Sequence, residues 1–155
     1  MTVASGTTAP GFTLPGIGPD RTRRDYSLAE YRGQVVILIF YPGDNTEVCT
    51  AQLNSYTADL DRFLEVGAQV LALSPQSVDS HAGFACAQGG FGFPLLADED
   101  KAVGSTYGIV GPLGFYRRSV FVIDGAGTVT YVHRAVAGLT FKPTDELIAA
   151  VRQAG

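Results

Sequence analysis

The segment that ends at Cys49 has the residue types and the spacing of a reactive thiol site. A continuous apolar run over residues 35–40 precedes a Pro42-Gly43 turn, and the chain then begins a predicted helix whose first turn contains Cys49. Free N–H groups and the helix dipole stabilise negative charge at a helix N-terminus, so a thiol placed there ionises more readily than a free one. The pattern therefore predicts the nucleophilic or redox chemistry of a thiolate.

Two elements must position this thiol. The run 35–41 is rich in β-branched and aromatic residues without polar alternation, which predicts a strand covered on both faces of a sheet. A long helix is expected over 46–66, ended by Gly67. Its apolar residues recur at three- and four-residue spacings and give it one buried face. That face comprises Leu53, Tyr56, Leu60, Phe63 and Leu64.

The rest of the chain predicts an α/β protein. Further strands are expected at 9–16, as a short edge strand, at 68–73, and in a hairpin of 119–124 with 128–132. Helical segments are expected at 27–31, at 78–88, at 98–107 and from 142 onward. This order implies one domain, residues 1–155, with a central mixed β-sheet flanked by helices on both faces.

Composition excludes several classes of function. With 46% hydrophobic residues the chain of 155 residues is expected to fold around one core, and its net charge of −4 argues against nucleic-acid or anionic-membrane binding. No apolar run reaches the roughly 18–20 residues that span a bilayer. The first ten residues lack the pattern of a signal peptide, so a cytoplasmic location is expected.

The chain has two cysteines and two histidines, too few to predict a metal site. In a reducing compartment two cysteines indicate reversible redox chemistry or core packing rather than a structural disulfide. No cofactor or metal is expected, and His81 and His133 are interpreted as surface or hairpin residues without a role.

The spacing Pro42-x-x-x-Thr46-x-x-Cys49 resembles the active-site loop of the peroxiredoxins. The phrase FYPGDNTEVCTAQL is similar to the subgroup called bacterioferritin comigratory protein or peroxiredoxin Q. APGFTLPG before it, and SVDSHAGFACAQ, FPLLADED and RSVFVIDGAGTV after it, occur in the expected order. The resemblance covers nearly the whole chain. It implies a thioredoxin-like fold and a thiol-dependent peroxidase that reduces hydrogen peroxide and organic hydroperoxides.

The resemblance also implies roles for individual residues. Cys49 would attack the terminal peroxide oxygen, become a sulfenic acid and release water or an alcohol. Thr46 would place its hydroxyl beside the sulfur, and Pro42 would shield the loop. Arg118 would favour the thiolate and the charge that develops as the O–O bond breaks. Arg117 is the competing choice, because strand alternation lets only one of the two arginines face the site.

Cys86 matches the second cysteine of those relatives that carry it in the next helix, whereas Asn54 occupies the alternative position five residues after Cys49. It would close an intramolecular disulfide with Cys49, which thioredoxin or a similar dithiol protein would reduce. The alternative is an inert core cysteine. Because disulfide formation needs Cα atoms within about 7 Å, we expect both helices to unwind locally on oxidation.

Other readings remain open from the sequence. A peroxide sensor or redox-interaction protein on the same fold, and a one-cysteine peroxidase using an external thiol, would need the same Cys49. A thiol–disulfide oxidoreductase would need a Cys-x-x-Cys motif, and Thr46 occupies its first position. Glu47-Val48 stands where these relatives commonly have Pro-Gly, and the acidic Glu47 opposes thiolate formation.

Two expectations concern binding. Peroxide preference is expected to depend on a pocket around Phe12, Tyr41 and Phe115. The chain is expected to act as a monomer, with a weak homodimer as the alternative.

Overall fold

A mixed β-sheet forms the centre of the protein in a computed structural model that describes residues 3–135 and 141–154. Its strand order is β2-β1-β5-β4-β3-β6-β7, with β3, β4 and β5 parallel to one another and the other pairs antiparallel. The strands are β1 Thr13–Ile17, β2 Arg23–Ser27, β3 Val35–Phe40, β4 Ala68–Ser74, β5 Leu95–Ala97, β6 Ser119–Ile123 and β7 Val129–Arg134.

Five α-helices and one 3-10 helix accompany the sheet in the described residues. The α-helices are α1 Glu47–Ala58, α2 Leu60–Glu65, α3 Val78–Ala87, α4 Ala102–Tyr107 and α5 Thr144–Ala154. The 3-10 helix is Leu28–Tyr31, and at its start the N–H of Ser27 donates to the Glu30 carboxylate at 3.1 Å, as the capping-box spacing predicts. None of these helices is both long enough and apolar enough to cross a membrane.

Strand β3 divides the core into two layers, because successive side chains point to opposite faces of a sheet. Ile37 and Ile39 pack in a cluster with side chains of α1, α2, α3 and α5, whereas Val36, Leu38 and Phe40 pack with α4 and the N-terminal segment. Both faces of the sheet are therefore covered, which explains the apolar run without alternation. Full burial of each such side chain stabilises the fold by roughly 1.5–3 kcal/mol.

The expected long helix is in fact two helices. α1 ends at Ala58, and Asp59 stands between it and α2 in a non-helical conformation. The Asp59 carboxylate accepts a hydrogen bond from the Thr144 hydroxyl of α5 at 2.7 Å, so the break lies where another helix is attached. The predicted apolar face is correct for Leu53, Tyr56 and Phe63, which are fully buried, but wrong for Leu64, which is 58% exposed.

The N-terminal strand is not an edge strand. β1 pairs with β2 on one side and with β5 on the other, and the arginine-rich β2 forms the edge instead. Exposed arginines suit such an edge because their charge opposes pairing with another chain. Strands β2 and β5 were not predicted. β5 has only three residues and directly precedes Asp98. The helix expected from 98 begins only at Ala102.

Candidate active site

The connection between β3 and α1 places Cys49 at the start of a helix, as predicted. β3 ends at Phe40, Asn45 adopts a positive φ of 62°, and Thr46 occupies the N-cap position. Asparagine tolerates this left-handed conformation better than most residues, which lets the chain turn sharply into the helix. Cys49 is the third residue of α1 and is fully buried.

Arg118 contacts the Cys49 thiol directly. Its Nη2 lies 3.2 Å from Sγ, and its side chain is 3% exposed. Arg117 turns away, and its Nε donates to the carbonyl oxygen of Ala135. A guanidinium at this distance stabilises a negative sulfur and can donate to a developing oxyanion, so the pair has the groups that a nucleophilic thiolate requires.

Two further residues of α1 hold this arginine, and the sequence reasoning missed them. Gln52 accepts from Nη1 of Arg118 through Oε1, and its Nε2 donates to the Tyr56 hydroxyl at 3.5 Å. Tyr56 donates in turn to the carbonyl oxygen of Lys142 at 2.6 Å. Burial raises the pKa of Tyr56 to about 12, so its hydroxyl remains a donor. The spacing of Cys49, Gln52 and Tyr56 on one helical face was the available signal.

Thr46 and Pro42 lie in the loop that leads to the thiol. The Thr46 hydroxyl donates to the carbonyl oxygen of Gly43 at 3.2 Å and makes no capping hydrogen bond, although Thr46 is the N-cap residue. Thr46 and Glu47 are exposed, and Pro42 is half-buried. The loop therefore presents a threonine hydroxyl at the surface above a buried thiol.

His81 is not a surface residue, and this interpretation of it was wrong. It is fully buried beneath the Cys49 loop, where its Nδ1 lies 2.7 Å from Oδ2 of Asp44 and its Nε2 lies 2.9 Å from the Leu96 carbonyl oxygen. Tyr41 donates to Oδ1 of the same carboxylate at 2.7 Å. Burial, followed by the charge of Asp44, holds the pKa of Tyr41 well above its usual value.

Cys86 lies near the end of α3 and is exposed, so the alternative of an inert core cysteine is wrong. Both thiols are free. Cys86 lines a cavity of about 230 Å³ together with apolar side chains such as Phe91 and Phe93 and the charged Arg21 and Arg23. The structure thus places one buried and one accessible sulfur on separate helices.

The three expected pocket residues lie in different surroundings. Tyr41 shares the core cluster of Cys49, whereas Phe12 packs in the cluster on the opposite face of the sheet. Phe115 is 70% exposed, with the Lys101 ammonium 6.0 Å from its ring centre. Within the described ranges, no group of three or more His, Cys, Asp or Glu side chains has the arrangement of a metal site.

Known proteins similar to this chain share its fold and its sequence pattern. A Mycobacterium tuberculosis (strain H37Rv) protein provisionally named a peroxiredoxin is 38% identical over 131 residues, which is 80% of each chain. Peroxiredoxin Q of Sedum lineare chloroplasts is 34% identical over 133 residues, or 84% of this chain and 69% of the relative. The crystal structure of the reduced Plasmodium vivax 2-Cys peroxiredoxin superposes with a TM-score of 0.89 at 25% identity, covering 96% of this chain and 80% of that one.

The match to a protein family also covers most of the chain. Residues 5–132 match the AhpC/TSA family, and the solved structures confirm the thioredoxin-like peroxiredoxin fold expected from the sequence. The chain therefore belongs to the AhpC/TSA family of peroxiredoxins, whose members are thiol-dependent peroxidases.

Proposed function

We propose that Cys49 is the peroxidatic residue of this peroxidase and that it reduces hydrogen peroxide and organic hydroperoxides. The observation that carries the proposal is the contact between the Cys49 thiol and the Arg118 guanidinium in the first turn of α1. The thiolate attacks the terminal peroxide oxygen, the O–O bond breaks, and the leaving oxygen takes up a proton as water or an alcohol. Cys49 is left as a sulfenic acid.

The residues around the thiol have distinct roles in this step. Arg118 stabilises the thiolate before the attack and the charge on the leaving oxygen during it. The Thr46 hydroxyl binds the peroxide, since it can donate and accept at once. Pro42 covers the thiol and fixes the direction of the loop through its rigid φ. Because Cys49 is fully buried, this loop has to move aside before a peroxide reaches the sulfur.

We propose further that Cys86 resolves the sulfenic acid. Its thiolate attacks the Cys49 sulfur, the S–O bond breaks with release of water, and an intramolecular disulfide forms. The exposure of Cys86 supports this role, since a sulfur at the surface is accessible to thioredoxin or a similar dithiol protein. The 34% identity to a chloroplast peroxiredoxin Q favours that subgroup.

The two cysteines must approach each other for this disulfide to form. They lie on different helices, and α3 contains Gly83 and is followed by Gly89 and Gly90, both at positive φ. Glycine weakens a helix by roughly 1 kcal/mol relative to alanine, so local unwinding near Cys86 costs little. We infer that the first turn of α1 and the end of α3 unwind on oxidation.

Two variants test these roles together. Cys49→Ser should abolish peroxide consumption with a thioredoxin system, whereas Cys86→Ser should retain one rapid turnover and accumulate the Cys49 sulfenic acid. Mass spectrometry of the peroxide-treated wild type should find the Cys49–Cys86 crosslink. Full steady-state turnover in Cys86→Ser would instead indicate a one-cysteine peroxidase that uses an external thiol. Oxidation of Cys49 without steady-state turnover would indicate a sensor.

A further inference from the structure

The Cys49 loop is connected to the helix that carries Cys86 by a buried Asp–His pair. Asp44 lies in the loop, and both of its carboxylate oxygens are bonded: Oδ1 accepts from Tyr41, and Oδ2 faces Nδ1 of His81 at 2.7 Å and accepts from the Ser80 hydroxyl at 2.8 Å. The side chains of Asp44 and His81 are 1% and 0% exposed. The Asp44 N–H in turn donates to Oε1 of Gln76.

The hydrogen bonds of His81 fix its ring between two elements. Nε2 donates to the carbonyl oxygen of Leu96 in β5, which can only accept, and Nδ1 lies 2.7 Å from Oδ2 of Asp44 and 3.3 Å from the Tyr41 hydroxyl. The ring therefore holds the Asp44 side chain on one side and the β5 backbone on the other. Buried hydrogen bonds of this kind are costly to break, because no water replaces the lost partner.

The two cysteines have matching positions relative to this pair. Cys49 follows Asp44 by five residues, and Cys86 follows His81 by five residues. Five extended residues span about 17 Å. Two such segments that begin at the Asp44–His81 contact are therefore long enough for the two sulfurs to meet. The segment after Asp44 enters α1 at Thr46, an N-cap residue whose side chain makes no capping bond.

We propose that the Asp44–His81 pair is the fixed pivot of the oxidation-linked rearrangement and remains closed while the segments beyond it unwind. The proposal rests on resolution of Cys49 by Cys86. His81 is then a positioning residue, since it acts on the reaction only by keeping the resolving cysteine close to the sulfenic acid. Phe84 is buried, and its ring centre lies 5.0 Å from the ring centre of Phe91. This apolar contact must break when the α3 segment unwinds.

The pivot shortens the loop that formation of the disulfide must close. With the pair intact, ten residues separate the cysteines through the pivot. Without it, the nearest remaining link is the bond from the Asp44 N–H to the Gln76 side chain, and the path through it is fifteen residues. Closure probability scales with chain length to the power −3/2, so loss of the pivot should slow resolution about twofold.

Hydrogen exchange and NMR of the wild-type protein test the pivot directly. In the Cys49–Cys86 disulfide form, amides around residues 41–44 and 78–81 should keep their protection, and the downfield imidazole proton of His81 should persist. Amides of residues 46–50 and 84–88 should exchange faster than in the reduced protein. Loss of protection at 41–44 and 78–81, or loss of the imidazole signal, would overturn the proposal. Absence of the disulfide itself would instead refute the resolving role of Cys86, and the pivot with it.

A kinetic comparison provides the second arm. The double variant Ser80→Ala/His81→Phe removes both contacts from α3 to Asp44, whereas Ser77→Ala weakens the same helix by removing its N-cap bond to the Ser80 N–H. The double variant should form the disulfide about twofold more slowly and accumulate more Cys49 sulfinic acid at a given peroxide concentration. Ser77→Ala should form the disulfide at the wild-type rate or faster. Equal slowing in both variants would contradict a pivot at Asp44.

Discussion

The Arg118 guanidinium lies 3.2 Å from the Cys49 sulfur, although 69 residues separate the two in the chain. Both side chains are almost completely buried. A buried cation favours an anion beside it much more strongly than an exposed one does, because little water screens the interaction. The contact therefore joins the start of α1 to the start of β6 and supplies the positive charge that a buried thiolate needs.

Replacement of Arg118 by Gln should lower kcat/KM for hydrogen peroxide by roughly 10²–10³-fold, the usual loss when a preorganised donor to a developing charge is removed. Arg118→Lys keeps the charge but not the forked geometry and should recover only part of the rate. Stopped-flow measurement of Cys49 oxidation separates this step from resolution. Arg117→Gln is the matched control and should remain within about threefold of wild type, since the side-chain hydrogen bond of Arg117 among the described residues goes to the carbonyl oxygen of Ala135 and not to Cys49.

Gln52 should affect the same step through Arg118. Gln52→Leu removes the bond from Nη1 of Arg118 to the Gln52 side chain, and a small displacement of the guanidinium from the sulfur is expected to slow Cys49 oxidation about tenfold. Tyr56→Phe removes only the far end of this hydrogen-bond chain and should change the rate less than threefold. If both variants were equally slow, positioning by Gln52 would not be the cause.

The sequence predicted the local parts of the site and missed its long-range parts. Cys49, Thr46 and the strand before them follow from apolar patterning and helix-start spacing, which act within a few residues. The role of Arg118 was predicted from the family resemblance, and strand alternation left Arg117 as the alternative. The contact between Arg118 and Cys49 identifies Arg118 as the residue that faces the site. Asp44 and His81 lie 37 residues apart, and no local pattern connects a single aspartate with a single histidine.

The fold shows the same division. The buried strands β3, β4 and β6 were predicted because continuous apolar runs are a strong signal. β2 was missed because Arg23–Ser27 is polar and becomes a strand only through pairing with β1. The long helix was predicted as one unit because its periodicity continues past Asp59, whereas the break coincides with the bond to Thr144, which lies 85 residues away.

Thr46 offers a test of the loop hydroxyl. Thr46→Val keeps the shape of the side chain but removes the hydroxyl, which bonds to Gly43 and would bind the peroxide. The rate of Cys49 oxidation should therefore fall at least tenfold, which is equivalent to about 1.4 kcal/mol. Thr46→Ser restores the hydroxyl and should recover most of the rate. Stopped-flow traces at several peroxide concentrations measure both variants, and an equal loss in Thr46→Ser, which keeps the hydroxyl, would contradict the hydroxyl as the source of the rate.

The tyrosines predict how stability depends on alkaline pH. All seven have a pKa raised above the usual value, with burial as the largest cause in each case. Their neutral forms are therefore favoured in the folded state, and this stabilisation is fully present below the unfolded pKa of about 10. As the pH rises further, the unfolded tyrosines ionise first, so the free energy of unfolding should fall steeply above about pH 10.

Tyr56 allows one part of that loss to be isolated. Its pKa of about 12 in the folded protein means that its contribution disappears between about pH 10 and 12, and it amounts to at most about 2.7 kcal/mol at 1.36 kcal/mol per pH unit. Urea unfolding of Tyr56→Phe in a Cys49→Ser/Cys86→Ser background should give a shallower decline than the same background with Tyr56. Tyr56→Phe loses the hydrogen bond to Lys142 at every pH, which lowers the free energy of unfolding by the same amount throughout. Ionisation of Tyr56, in contrast, changes the slope of that free energy against pH. Parallel curves from pH 8 to 12 would show that Tyr56 ionises equally in both states and would contradict its burial as the cause.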